Sequence, residues 1–231
     1  REGSIHALIG PNGAGKTTCF NLLTRFIEPT AGRIVFRGQD ITRLRADAVA
    51  RLGLVRSFQI SAVFAQLSVF ENVRLAVQRH RGHSFDWWRS ERVLAEHDER
   101  AHALLADVGL DAWSNHLAGE LPYGRKRALE LATTLALEPT MLLLDEPMAG
   151  MGGEDIAQAT ALIRRAAAGR TVLMVEHNLS VVADLCDRIT VLARGEVLAE
   201  GDYASVSRDE RVVAAYLGQG KHHAHAEAAH G

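Results

Sequence analysis

The chain has 231 residues, 47% of them hydrophobic and 23% charged, with a formal charge of −2. This is globular composition with length for one sizeable domain, and the missing basic surplus argues against nucleic acid as a partner. Two well-separated cysteines, Cys19 and Cys186, carry no metal-ligand spacing and suit a reducing compartment, while no apolar run approaches the ~18 residues that span a bilayer.

The opening Arg1-Glu2-Gly3 is not a signal peptide and reads as the interior of a longer protein. Ser4–Ile9 predicts a strand, and Lys16–Arg25 has helical spacing through Phe20, Leu23 and Phe26 until Pro29 and Gly32 break it. Residues 33–41 read as a strand, a turn at Gly38 and a short return. Leu54–Phe58 is a further short strand. From Ser68 to Ala136 the pattern is mostly helical, with a charged stretch at 80–100 that holds Trp87 and Trp88. Met141–Pro147 and Thr171–Val175 are apolar enough for buried strands, and Glu154–Ala168 predicts a helix between them. Residues 188–201 read as a hairpin turning at Gly195, and Asp209–Leu217 as a last helix. The tail, 219–231, is His-rich and poor in apolar residues, so it is expected to be disordered. Strands alternating with helices predict a parallel α/β core. The block 68–136 interrupts that alternation as an all-helical insertion.

Between the first strand and the first helix stands Gly10-Pro11-Asn12-Gly13-Ala14-Gly15-Lys16-Thr17-Thr18. The pattern G-x-x-x-x-G-K-[ST] is a phosphate cradle. Its glycines permit backbone angles that let successive N–H groups wrap phosphate oxygens, and the following helix points its positive end at them. Lys16 would neutralise the β- and γ-phosphates, and Thr17 would place its hydroxyl on Mg²⁺. A cradle alone serves GTPases, kinases, helicases and transport motors alike.

Further motifs narrow that choice. Met141-Leu142-Leu143-Leu144 ends in Asp145 and Glu146. A parallel strand buried on both faces is apolar throughout and presents its ligand groups at its carboxyl end. Asp145 would hold Mg²⁺ and Glu146 would be the general base for an attacking water. His177, just beyond the strand Thr171–Val175, would reach the same rim and bond the γ-phosphate and the water. Gln59, after Leu54–Phe58, is either a neutral contact to Mg²⁺ and the water or an ordinary loop glutamine.

The cradle, Gln59, Asp145-Glu146 and His177, in this order, resemble the ATP-binding cassette (ABC) ATPases over nearly the whole chain. The likeness implies a P-loop NTPase fold: a parallel sheet, a partial antiparallel β-lobe and a helical subdomain at about 68–136, inside a cassette spanning 1–218. It implies a head-to-tail dimer with a second cassette, either an identical chain or a related one, with two ATPs at the interface and each cradle facing the partner's signature motif. Here Leu121-Pro122-Tyr123-Gly124-Arg125 corresponds to the family's LSGGQ. Leu121 and Gly124 are kept, while Pro122, Tyr123 and Arg125 replace the serine, the first glycine and the glutamine. Arg125 would add charge there or, with Lys126 and Arg127, lie on a solvated helix face. Met151-Gly152-Gly153 stands where an aspartate is common.

The signature with Tyr-Gly, together with "RSFQ", "MVEHN" and "AAYLG", is similar to the ATPases of branched-chain amino acid importers. That implies transmembrane permease subunits docked on the helical lobe, a periplasmic or extracellular binding protein acting indirectly, and a place on the cytoplasmic face of the inner membrane. Other hydrophobic amino acids, or urea and amides, are close rivals as cargo. A soluble ABC protein acting on nucleic acid or ribosomes is the alternative, though one cassette without heptads or Cys pairs does not favour it. The family's usual front segment, with an aromatic that stacks on adenine, does not precede the cradle here, so weaker ATP binding is expected of the sequence as it stands.

Overall fold

The computed structural model describes residues 1–57, 63–80 and 91–216. Its centre is a six-stranded sheet in the order β4-β5-β6-β1-β7-β8. Strands β4 (Leu54–Arg56), β5 (Met141–Asp145), β6 (Thr171–Val175), β1 (Ile5–Ile9) and β7 (Arg188–Ala193) are parallel, and β8 (Glu196–Gly201) closes the edge as an antiparallel hairpin partner of β7. A separate two-stranded ribbon pairs β2 (Val35–Phe36) with β3 (Gln39–Asp40).

The central strands are apolar because both faces of the sheet are covered. One face carries Ala7, Ile9, Leu142, Leu144, Val172 and Met174 into a large core. That core is shared with helices α5 (Tyr123–Leu135), α6 (Gly153–Ala166) and α7 (Leu179–Leu185). The other face carries Leu8, Leu143, Val175 and Leu192 into a smaller core. Helix α1 (Lys16–Leu23) plugs it with Phe20, which has no exposed surface. Val49 of helix α2 (Ala46–Arg51) and Ile41 complete this core.

Helices α3 (Val69–His80) and α4 (Glu91–Val108) pack against each other and against α5. A reciprocal cap starts α3: the Glu71 N–H donates to Ser68 Oγ at 3.1 Å, and the Ser68 N–H donates to Glu71 Oε2 at 2.7 Å. Those bonds lower the Glu71 pKa. Short 3₁₀ turns at Asp111–Trp113 and Ala118–Glu120 lead into α5.

The predicted strands and long helices are present, with three additions. Helices α2, α7 and α8 (Tyr203–Val206) were not anticipated. They have 6, 7 and 4 residues, too few turns to show a helical period and too short to form without tertiary support. Two carry a cap that the sequence does display. Asn178 accepts from the Ser180 and Val181 N–H groups, and Asp202 from the Ser205 N–H. The expected strand 141–147 stops at Asp145, because Glu146 turns out of it with φ 47°. Residues 210–216 are helical. Phe58, residues 81–90 of the charged stretch with Trp87 and Trp88, Leu217 and the tail 219–231 lie outside the described residues.

Among the described glycines, Gly10 lies nearest to another stretch of backbone. Its φ is +152°, and a Cβ there would lie 2.2 Å from the Leu192 carbonyl oxygen of β7. At Gly13 φ is +76°, but a Cβ would meet nothing within 4 Å. Gly10→Ala should therefore cost about 3 kcal/mol or more through the backbone clash, against about 1–2 kcal/mol of pure backbone strain for Gly13→Ala. Chemical denaturation of the two variants checks the order, and equal losses would show that β7 yields to the clash.

Candidate functional site

The parallel register brings the carboxyl ends of the strands to one rim. Leu8 of β1 and Asp145 of β5 both stand level with Val175 of β6. The residues that follow, Gly10, Glu146 and His177, therefore emerge side by side. Ligands of open α/β sheets bind at such a rim.

Helix α1 begins directly after Gly15, whose φ is 102°, and has no acidic residue in its first turn. Thr17 and Thr18 are exposed on that turn, while Ala14 and Lys16 are buried. The loop is braced from beneath, since the Gly195 N–H of the β7–β8 turn donates to the Ala14 carbonyl at 2.9 Å. The Lys16 ammonium folds over its own loop, donating to the carbonyls of Gly10 at 2.7 Å and Pro11 at 3.1 Å. Burial lowers its pKa, and the Glu146 and Asp145 carboxylates oppose that shift. A buried cation whose direct bonds go to two carbonyls suits an anion that would replace them. Lysine, helix start and open glycine cradle together fit a polyphosphate.

Asp145 faces a cation already. Arg56, at the end of β4, contacts its Oδ2 through Nη2 and donates through Nη1 to Asn21 Oδ1 of α1 at 2.7 Å. The same guanidinium lies 5.7 Å from the centre of the Phe20 ring. Thr17 is exposed on the first turn of α1, and a hydroxyl and a carboxylate are oxygen donors of the kind that would suit Mg²⁺. Gln59, the third expected metal contact, lies outside the described residues.

Glu146 and His177 meet. His177 Nε2 and Glu146 Oε1 are 2.8 Å apart, with each side chain 46% exposed. The Glu146 N–H donates to the Val175 carbonyl at 2.9 Å and its carbonyl accepts from the Ala149 N–H, so the turn Glu146–Ala149 is fixed to β6. An ionised Glu146 accepts from His177 Nε2–H through Oε1, and Oε2 remains as a second acceptor on a half-exposed side chain. A carboxylate at this place can take a proton from a water beside a bound phosphate.

The stretch Leu121–Arg125 forms the start of α5. Leu121 is buried, Pro122 is the N-cap, and Tyr123 opens the helix. A Cβ on Gly124 would lie 3.4 Å from Asp155 Oδ1 of α6. The basic run lies at the surface, with Arg125 exposed and Lys126 and Arg127 half-buried, and each member has a partner. Arg125 stacks on Trp113 at 4.3 Å, and Lys126 donates to the Gly119 carbonyl at 2.8 Å. Arg127 donates to Glu130 Oε2 at 3.0 Å and to the Tyr123 hydroxyl at 3.1 Å. Glu130 is almost fully buried, and burial raises its pKa against the pull of Arg127. The Tyr123 hydroxyl donates to the Ala149 carbonyl at 2.7 Å, joining α5 to the turn that carries Glu146. A cleft of about 620 Å³ runs between α5 and α6 and reaches Asp145.

Three participants escaped the sequence reading: Arg56, Glu176 and the Tyr123 hydroxyl. Arg56 and Glu176 each sit where an apolar parallel strand ends. That position carries the signal, since a charge there must meet the rim.

Comparison with known proteins decides the family. A family model described as "ABC transporter" matches residues 1–149, more than half of the chain. The chain belongs to the ABC transporter family. It is an ATPase of that family, and a second model, "Branched-chain amino acid ATP-binding cassette transporter", matches residues 196–222. This cassette is 38% identical over 228 residues to the high-affinity branched-chain amino acid transport ATP-binding protein BraF of Pseudomonas aeruginosa, covering 94% of this chain and 88% of BraF. It is 37% identical to LivG of Escherichia coli K12, which carries the same description, covering 93% and 87%. Among solved structures it superposes on the ADP conformation of MJ1267, an ATP-binding cassette of an ABC transporter, with TM-score 0.79, 28% identity, and coverage of 94% and 89%. It also superposes on the dimeric post-hydrolysis state of the cassette MJ0796 bound to ADP and Pi, with TM-score 0.72, 25% identity, and coverage of 88% and 87%.

Arg56→Met tests the pairing of Asp145. Losing the guanidinium leaves a mostly buried carboxylate alone, so stability should fall by about 2–4 kcal/mol at neutral pH. Arg56→Met with Asp145→Asn should recover most of that loss. Thermal unfolding of the three variants reads the difference, and a single variant as stable as the parent would show the pair to be idle.

Proposed function

We propose that this cassette is the ATP-driven subunit of an importer of branched-chain amino acids, working as a head-to-tail dimer on separate membrane subunits. The observation that carries the hydrolytic part is the Glu146–His177 pair, 2.8 Å apart beside the cradle. The loop Gly10–Thr18 cradles the phosphates with main-chain N–H groups, Pro11 having none to give, and Lys16 moves from its loop carbonyls onto them. Mg²⁺, when bound, supplies charge neutralisation between Thr17, Asp145 and Gln59. Glu146 takes the proton of the attacking water at Oε2. His177 Nε2–H holds the other oxygen, so the base keeps its aim.

The dimer rests on the position of Leu121–Arg125 at the start of α5 and on the likeness to the dimeric post-hydrolysis state of MJ0796. In it, the Gly124 N–H and the first turn of α5 would face the ATP of the partner subunit. ATP drives transport to the extent that it binds the closed dimer better than the open one. The cargo rests on BraF and LivG and on the match at 196–222. No helix among the described residues is long and apolar enough to cross a membrane. The site of action we assign is the cytoplasmic face of the inner membrane, peripheral to permease subunits that receive cargo from a periplasmic or extracellular binding protein. Nucleic acid is not a partner in this reading, in keeping with the net charge of −2.

Size-exclusion of Glu146→Gln gives the direct test. Without the base, ATP should persist and hold two copies together, so the variant should run as a dimer with ATP and as a monomer without it. Glu146→Gln combined with Lys16→Ala should stay monomeric in both. A monomer at saturating Mg-ATP would overturn the homodimeric sandwich.

A further inference from the structure

Glu176 stands between β6 and His177 and is 4% exposed. Its carboxylate accepts three main-chain N–H groups. Oε1 takes that of Met148 at 3.1 Å, and Oε2 takes those of His177 at 2.7 Å and Asn178 at 3.0 Å. Met148 belongs to the turn after β5, while His177 and Asn178 belong to the segment after β6. One buried side chain thus ties together the two loops that carry Glu146 and His177.

Glu146 needs such a tie. Its φ of 47° is left-handed for a residue with a side chain, and strain of this kind persists only where the surroundings fix it. The Ala149 N–H closes the turn on itself, and the Glu146 N–H continues the pairing with β6. Two side chains bond the turn's backbone from outside it among the described residues. Tyr123 bonds the Ala149 carbonyl at the far end, and Glu176 bonds the Met148 N–H from the His177 side.

We propose that Glu176 is a positioning residue for hydrolysis, holding Glu146 in its left-handed conformation and setting its distance to His177. This rests on the reading of Glu146 and His177 as the hydrolytic pair.

Glu176→Gln separates the tether from the local turn. If the amide oxygen keeps the His177 and Asn178 N–H groups, its NH₂ faces the Met148 N–H, donor against donor. Hydrogen exchange of the nucleotide-free chain should then show the Met148 and Ala149 amides exchanging at least tenfold faster, with Lys16–Phe20 unchanged. The ATP turnover number should fall at least tenfold while KM stays within about twofold. Combined with His177→Ala, the variant should lose little more than His177→Ala alone, because both act on one pair. Glu176→Asp keeps the charge but falls short of Met148, so it should show the same exchange and the same loss.

Unchanged exchange at Met148 would overturn the tether. Faster exchange with unchanged turnover, multiplying losses in the double variant, or a parental rate in Glu176→Asp would overturn the positioning role. The two readings fail separately, because the exchange result needs no nucleotide. If Glu146→Gln hydrolysed like the parent, the reading of Glu146 would fall while the tether stood.

Discussion

The rim chemistry depends on the parallel register of β1, β6 and β5. Because Leu8 and Asp145 share the level of Val175, three strands end together and three loops leave the sheet side by side. A slip of one residue in any strand would exchange its two faces. Leu143 would leave the core under α1, Leu144 would leave the core under α5 and α6, and Asp145 would face away from Arg56. The two hydrophobic cores therefore specify the register, and the register specifies where the charges meet. Packing and site are in that sense one constraint.

That constraint also explains what could be read in the sequence. Long apolar strands announced themselves because both their faces are buried, and the cradle did so because its glycines and lysine have few substitutes. The rim followed from these, since an acid or histidine just past such a strand has one place to go. The short helices α2, α7 and α8 were not legible, because with fewer than two full turns their burial is set by the sheet rather than by their own pattern. The left-handed turn at Glu146 was hidden for a different reason. Nothing in Asp-Glu-Pro-Met signals a positive φ, which is imposed from outside by β6, Glu176 and Tyr123.

The basic run Arg125–Arg127 shows the limit of reading charge from sequence. A run of cations at a helix start looks solvated and is unfavourable beside the helix's positive end. In the fold each cation finds a partner in the turns just before α5 or on the next turn of α5. Trp113 offers a ring face, Gly119 a carbonyl, and Glu130 a carboxylate that would be costly alone in the core. The pairing of Arg127 with a buried acid explains why the run does not destabilise α5, and it fixes Arg127 where it can also orient the Tyr123 hydroxyl.

Tyr123 changes the meaning of the altered signature. Taken as a loss of glycine, it removes freedom from the stretch that would face the partner's nucleotide. In the structure its hydroxyl spends its proton on Ala149, inside the turn that carries Glu146. The helix that senses one nucleotide in the proposed dimer is thus bonded to the loop that would hydrolyse the other. A movement of α5 cannot leave Ala149 where it is without breaking a bond of 2.7 Å. Glu176 holds the opposite side of the same turn through Met148. The base is therefore suspended between two tethers, one from the dimer face and one from the histidine strand. Its strained backbone is the element whose position both can bias.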